Sequence, residues 1–223
     1  MCGKFTTKLS WTELVDDAWS TSDSSEDDRI LTLRVMDAVP LIVLDIVAQK
    51  RRVVPMRWGF PHPKDWKRPQ PIHARAETID STQAFAEAFH DGQRGIALVQ
   101  TFNEAPDIDG PTIQHTITPD APVGIAFVWR RFQSSDMPAP MLAACMVTVA
   151  ANDLIATLPT DRMPAVLDKE DWAIWLGEEM ATPERVKACL KTQQGVRWTM
   201  AKEERAQKTR RSKPMASDPQ GLF

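Results

Sequence analysis

The chain has 223 residues, a formal net charge of −3 and a pI of about 5.8, with 43% hydrophobic and 26% charged residues. That size suits one large domain or two small ones with a real core, and no run is apolar enough to span a bilayer. The acidic balance opposes a uniformly basic nucleic-acid-binding domain, and Cys2, Cys145 and Cys189, at no metal-like spacing, oppose a disulfide framework and a zinc site.

Taken in order, Ser10-Trp11-Thr12-Glu13 reads as a capping box opening a short helix to about Trp19. Residues 20–29 are polar and acidic, as a mobile surface insertion would be. Leu31, Leu33 and Val35 alternate as in a strand, and the runs PLIVLDIV and RRVVPMRW predict a hairpin pair ending at Trp58. Four prolines within 61–71 predict an irregular loop around Trp66. Ser81 is expected to cap a helix with Ala84, Phe85, Ala88 and Phe89 on one face, closed by Gly92.

Strands are predicted around 96–104, 112–118, 123–132 and 141–150, separated by Pro, Asp and Gly turns. Asp168 and Thr182-Pro183 each start a late helix, the second ending at Gly195. Beyond Trp198 the composition turns basic and polar, which predicts a single domain over 1–200 and a disordered basic tail over 201–223. The balance is a β-dominated α+β fold without βαβ alternation. Nine scattered glycines form no phosphate-binding loop, and nothing implies a cofactor or a metal.

Charge is unevenly spread. Positions 16–28 hold six acidic residues and no basic one, whereas 50–75 hold Lys50, Arg51, Arg52, Arg57, Lys64, Lys67, Arg68 and Arg75 against Asp65 alone. A local basic face can focus a field even on an acidic protein. No basic stretch followed by an apolar one opens the chain, so a cytoplasmic protein is expected, where a thiol stays reduced.

An initiator Met before a small residue is normally trimmed, which would leave Cys2 leading the chain. Its α-amine, with an ordinary pKa of about 7.7–8.0, is partly neutral at physiological pH and lies on the carbon next to the thiol-bearing one. Such a 1,2-aminothiol condenses with an aldehyde through a Schiff base and closes to a five-membered thiazolidine.

Five stretches combine unusual residues: Met1-Cys2-Gly3-Lys4-Phe5, Met56-Arg57-Trp58-Gly59-Phe60, His73-Ala74-Arg75-Ala76-Glu77-Thr78, Phe102-Asn103-Glu104 and Asp161-Arg162-Met163-Pro164. Their order and spacing, from residue 2 to about 176, resemble the SOS-response-associated peptidase (SRAP) family, whose members process abasic sites in single-stranded DNA. The resemblance implies a β-barrel-like mixed or antiparallel core with flanking helices and a positively charged groove. It implies that Cys2 captures the ring-opened aldehyde of an abasic site as a covalent thiazolidine crosslink, near the nucleoid. Glu104 would shuttle protons from a partly apolar pocket and would serve any autolytic, protease-like removal of Met1. Lys4, standing where the family usually has Arg, together with Arg75 and Arg162, would hold phosphates, and Trp66 would stack on an exposed base. Trp58 reads as core.

Two departures touch the chemistry. His73 stands where the family usually has Asn, and Thr160 where it usually has His; the imidazole has then moved, or both sites have drifted. Asp37 adds a negative charge close to where Asn is common. Gln220-Gly221-Leu222-Phe223 is similar to tails that dock on replication clamps, a weak contact at most. Two other classes stay open. One is an N-terminal-nucleophile glutamine amidotransferase, which also begins Met-Cys-Gly but would need an Asn-Gly that this chain lacks. The other is a non-covalent DNA-binding protein, impaired by the changes at 73 and 160.

Overall fold

The computed structural model describes residues 2–8, 30–105 and 113–203. The helix expected after Ser10, the acidic insertion and the chain after 203 lie outside the described residues. Strand β1 (Lys4–Lys8) pairs antiparallel with β2 (Ile30–Arg34). Next comes the expected hairpin, β3 (Ala38–Asp45) and β4 (Lys50–Trp58), with Asp45 opposite Lys50. Val39, Leu41 and Met56 share one buried face of it, and Ile42 is buried on the other.

The proline-rich stretch is not irregular. It forms a two-stranded ladder, β5 (Pro61–His62) and β6 (Asp65–Pro69). A two-stranded ribbon is all edge, so a proline's missing N–H can face outward at little cost. Side chains fix its turn: the Lys64 N–H donates to His62 Nδ1 and the Lys67 N–H to Asp65 Oδ1, each at 3.1 Å. Strand β7 (His73–Arg75) runs directly into a single 3-10 turn at Ala76–Thr78.

The next helix, α1 (Ala86–His90), is shorter than its pattern suggested. Ser81 does not cap it, because its hydroxyl turns back to the Thr78 carbonyl. Phe85, Ala88 and Phe89 are buried all the same, and Gly92 follows at φ +73°.

The expected strand over 96–104 divides into β8 (Arg94–Val99) and β9 (Thr101–Glu104), which belong to different sheets. At the switch the Gln100 N–H donates to the Thr6 carbonyl at 2.9 Å, so the chain changes partners without breaking its run of backbone bonds. Strands β10 (His115–Thr118), β11 (Val123–Phe132) and β12 (Met141–Ala150) follow where the sequence placed them. Short strands β13 (Arg162–Pro164) and β14 (Val166–Leu167) lead to helix α2 (Trp172–Leu176), ended by Gly177 at φ +88°.

Thr182 caps α3 (Pro183–Lys187) by accepting the Arg185 N–H, and that helix ends well before Gly195. Gly195, at φ +61°, instead packs under Trp198 and Asn152. Strand β15 (Thr199–Lys202) crosses the boundary expected at 200 and pairs with β10.

Two sheets result. The larger has eight strands, and pairing between β11 and β12 closes β12-β4-β3-β8-β11 into a five-stranded ring. Only β12–β4 within that ring is parallel. The second, antiparallel sheet runs β15-β10-β9-β1-β2. Phe5 of β1 stacks on Trp58 of β4 with ring centroids 5.2 Å apart, and Trp58 meets Phe127 of β11, so aromatic contacts weld the sheets into one core. This is the expected β-barrel-like α+β fold. Among the described residues no helix is long and apolar enough to cross a membrane.

Candidate active site

The chain's change of sheet at Gln100 brings β9 alongside β1, with Lys4 opposite Asn103. Glu104 therefore ends its strand beside the start of the other, where Cys2 sits. Both are buried, Cys2 at 2% exposure and Glu104 at 0%. Burial lifts the Glu104 carboxyl from its usual range to about 7, although the donated Cys2 N–H favours the carboxylate. A carboxyl poised there can give or take a proton near neutrality. Burial also pushes the Cys2 thiol up to about 12, and the neighbouring Glu104 charge adds to the rise. The thiol lies 3.5 Å from the Lys4 carbonyl and stays protonated at neutral pH.

The third member comes from the larger sheet. His73 opens β7, paired parallel with β12 opposite Met146, and its Nε2 lies 2.7 Å from the Cys2 carbonyl. A carbonyl only accepts, so Nε2 carries the proton and donates. Burial holds the imidazole below its usual pKa, which keeps it neutral in this role. His73 thus anchors the backbone that carries Cys2.

The Met56–Phe60 stretch supports this arrangement. Trp58 is fully buried, donates its indole N–H to the Ile72 carbonyl at 3.2 Å, and meets the His73 ring edge-on. Gly59, at φ +104°, lets Pro69 approach so closely that a Cβ would sit 2.6 Å from its Cβ. Arg57 Nη1 donates to the Trp66 carbonyl at 2.6 Å and Nη2 to the Lys67 carbonyl at 3.0 Å, clamping the proline hairpin.

The remaining site candidates divide. Arg75 ends β7, two residues from His73, and is exposed. Trp66 is half-buried on β6 with the Lys67 ammonium over its ring. Arg162, expected to hold a phosphate, is instead only 8% exposed, and its fork grips Glu77 at 2.7 and 2.9 Å and the Thr148 carbonyl at 2.6 Å. Its observed work is to tie β13 to β12 and to the turn after β7. Thr160 precedes β13, and its hydroxyl contacts the Arg162 backbone at 3.4 and 3.5 Å. Asp37 accepts the Arg34 N–H at 2.8 Å and closes the turn between β2 and β3.

Lys4 Nζ reaches Glu203, just past β15. Within the basic run, Arg51 pairs with Glu178 and Arg52 with Asp45, while Lys50, Lys64, Lys67, Arg68 and Arg75 are exposed.

Two residues of consequence escaped the sequence reading. Glu77 lay inside a quoted motif, so its place was visible while its pairing was not. Glu203 fell in the presumed tail, where no periodicity could have signalled it.

The family described as SOS response associated peptidase (SRAP) matches residues 1–205. No match is found among curated proteins. Among solved structures, a structural-genomics protein from Bordetella bronchiseptica is similar at TM-score 0.72 and 19% identity, over 91% of this chain and 100% of that one. A protein from Bacteroides thetaiotaomicron gives TM-score 0.75 at 17% identity, over 92% and 93%. A phage-related protein from Bordetella bronchiseptica gives 0.64 at 19%, over 91% and 94%. At such identities these likenesses speak to the fold.

Proposed function

Since the chain belongs to the SOS response associated peptidase family, a DNA-damage-associated group, we propose that it captures abasic sites in single-stranded DNA through Cys2 once Met1 is removed. The observation that carries this reading is the meeting of Cys2 with Glu104, whose carboxyl is lifted to about 7.

The steps balance without a cofactor. The freed Cys2 amine adds to the aldehyde carbon of the ring-opened sugar, giving a carbinolamine. Protonated Glu104 donates to the departing hydroxyl, one water leaves to give an iminium, and the Glu104 carboxylate takes back the nitrogen's proton to leave the imine. The Cys2 sulfur then bonds to the imine carbon while its proton passes to the nitrogen, closing the thiazolidine. A thiol held up to about 12 suits this order, because it waits as S–H until the imine is present. Glu104, as carboxylate, would also activate the water that cleaves the Met1–Cys2 bond.

Arg75 and the lysines of the β5–β6 hairpin would meet backbone phosphates, and Trp66 would stack on a base beside the lesion. His73 would fix the Cys2 backbone where Asn is usual, and Thr160 would take no proton. The test mixes Met1-free protein with an oligonucleotide bearing one abasic site. A covalent band on a denaturing gel supports the reading, and its persistence in Cys2→Ala overturns it.

A further inference from the structure

Three donors on three neighbouring strands converge on one oxygen. Lys4 Nζ of β1, Asn103 Nδ2 of β9 and Thr116 Oγ1 of β10 lie 2.5, 2.8 and 3.1 Å from Glu203 Oε1. The register explains the convergence, since Lys4 is opposite Asn103 and Asn103 opposite Thr116. Asn103 is 2% exposed, so its amide is committed to this place. Its backbone N–H also faces the Cys2 thiol, which puts the cradle next to the reactive residue. An ammonium, an amide and a hydroxyl around a single anionic oxygen form a receptor for an oxyanion.

Glu203 itself is held from outside the cradle. It follows β15, the four-residue edge strand of its sheet, and is tied back by its N–H to the Gln114 carbonyl at 2.8 Å. β15 is mostly exposed, and its ladder involves β10 alone. An edge strand with one partner can leave without opening the barrel.

We propose that the Lys4–Asn103–Thr116 cradle is a phosphate subsite for single-stranded DNA and that Glu203 is its built-in competitor, which the strand must displace. This rests on the DNA-binding part of the proposed function but not on its covalent step. The carboxylate stands in for a phosphodiester oxygen, so the resting chain keeps a basic cradle neutralised beside Cys2. Arrival of a strand exchanges Glu203 for phosphate and frees β15 from its anchor.

The experiment measures non-covalent binding of a fluorescent, undamaged thymidine oligonucleotide to the full chain by anisotropy across a salt series. Glu203→Gln keeps an acceptor for Asn103 and Thr116 but removes the competing charge. It should tighten binding roughly three- to tenfold at low salt and steepen the salt slope by about 0.7, as one more phosphate contact would. Adding Lys4→Ala should abolish that gain. Unchanged or weaker binding by Glu203→Gln, or a gain that survives Lys4→Ala, overturns the proposal. A thermal melt in inorganic phosphate distinguishes the ligand: stabilisation that depends on Glu203→Gln there, without tighter oligonucleotide binding, overturns the assignment to a strand. Because the oligonucleotide has no aldehyde, failure of crosslinking elsewhere leaves this result intact.

Discussion

The imidazole of His73 and the carbonyl of Cys2 are joined by a 2.7 Å hydrogen bond across the seam between the two sheets. It is the direct polar tie between the larger sheet and the residue at the mouth of the smaller one. Because burial holds the His73 pKa below its ordinary 6.5, the folded state takes up its proton less readily than the unfolded chain. The contribution of His73 to stability is therefore present at neutral pH and is lost as pH falls below about 6.5. His73→Ala should cost about 1–3 kcal/mol at pH 7.5 by leaving the carbonyl without its donor. His73→Asn, which restores a neutral donor, should cost less and should lose less stability than the wild type between pH 7.5 and 5. Thermal melts at the two pH values check both, and an equal pH loss in wild type and the Asn variant would remove the titration from this account.

Glu104 runs the other way. Its folded pKa, lifted to about 7, exceeds the unfolded 4.5, so protonation favours the fold. The stability it contributes is complete below about 4.5 and disappears as pH rises through 7. Glu104→Gln, which imitates the protonated form, should leave stability near wild type at pH 4.5 and raise it at pH 8.5, by up to about 3 kcal/mol. Urea unfolding at both pH values reads this, and a variant that is less stable at the higher pH contradicts it.

The two arginines should separate cleanly. Arg162→Ala removes a buried tie to Glu77 and Thr148 and should lower the melting temperature by several degrees, for a loss of about 2 kcal/mol. Arg75→Ala, at an exposed position, should leave melting unchanged and weaken binding to an undamaged single-stranded oligonucleotide, with a salt slope smaller by about 0.7. The same two variants measured by melting and by anisotropy decide it. Equal melting losses, or an Arg75→Ala protein that binds as tightly as wild type, would break the division.

How far the sequence carried the reading depended on whether a feature was local. The short apolar runs of β3, β4, β11 and β12, bounded by turn residues, placed four of the strands that close the barrel, because such a run is written residue by residue. Cys2, Glu104 and His73 were each found from short stretches that the family resemblance ordered. The departure at Gln100 was hidden, since an apolar run has the same pattern whichever sheet it joins. The pairing of Arg162 with Glu77 spans 85 positions and leaves no periodic trace. Glu203 was hidden twice: its segment was too polar to suggest a strand, and its three partners come from three other strands. Prolines misled in the β5–β6 hairpin because they forbid a central strand while permitting a two-stranded ribbon.

The most direct measurement is the rate of covalent capture. Met1-free protein is incubated with a single-stranded oligonucleotide carrying one abasic site, and the product is followed on denaturing gels from pH 5.5 to 8.5. The account predicts a shifted band that is absent in Cys2→Ala, slows in the wild type as pH rises past about 7 with loss of the Glu104 proton, and forms far more slowly in Glu104→Gln. No covalent product, or one that forms at the same rate without Cys2 or without Glu104, would contradict it.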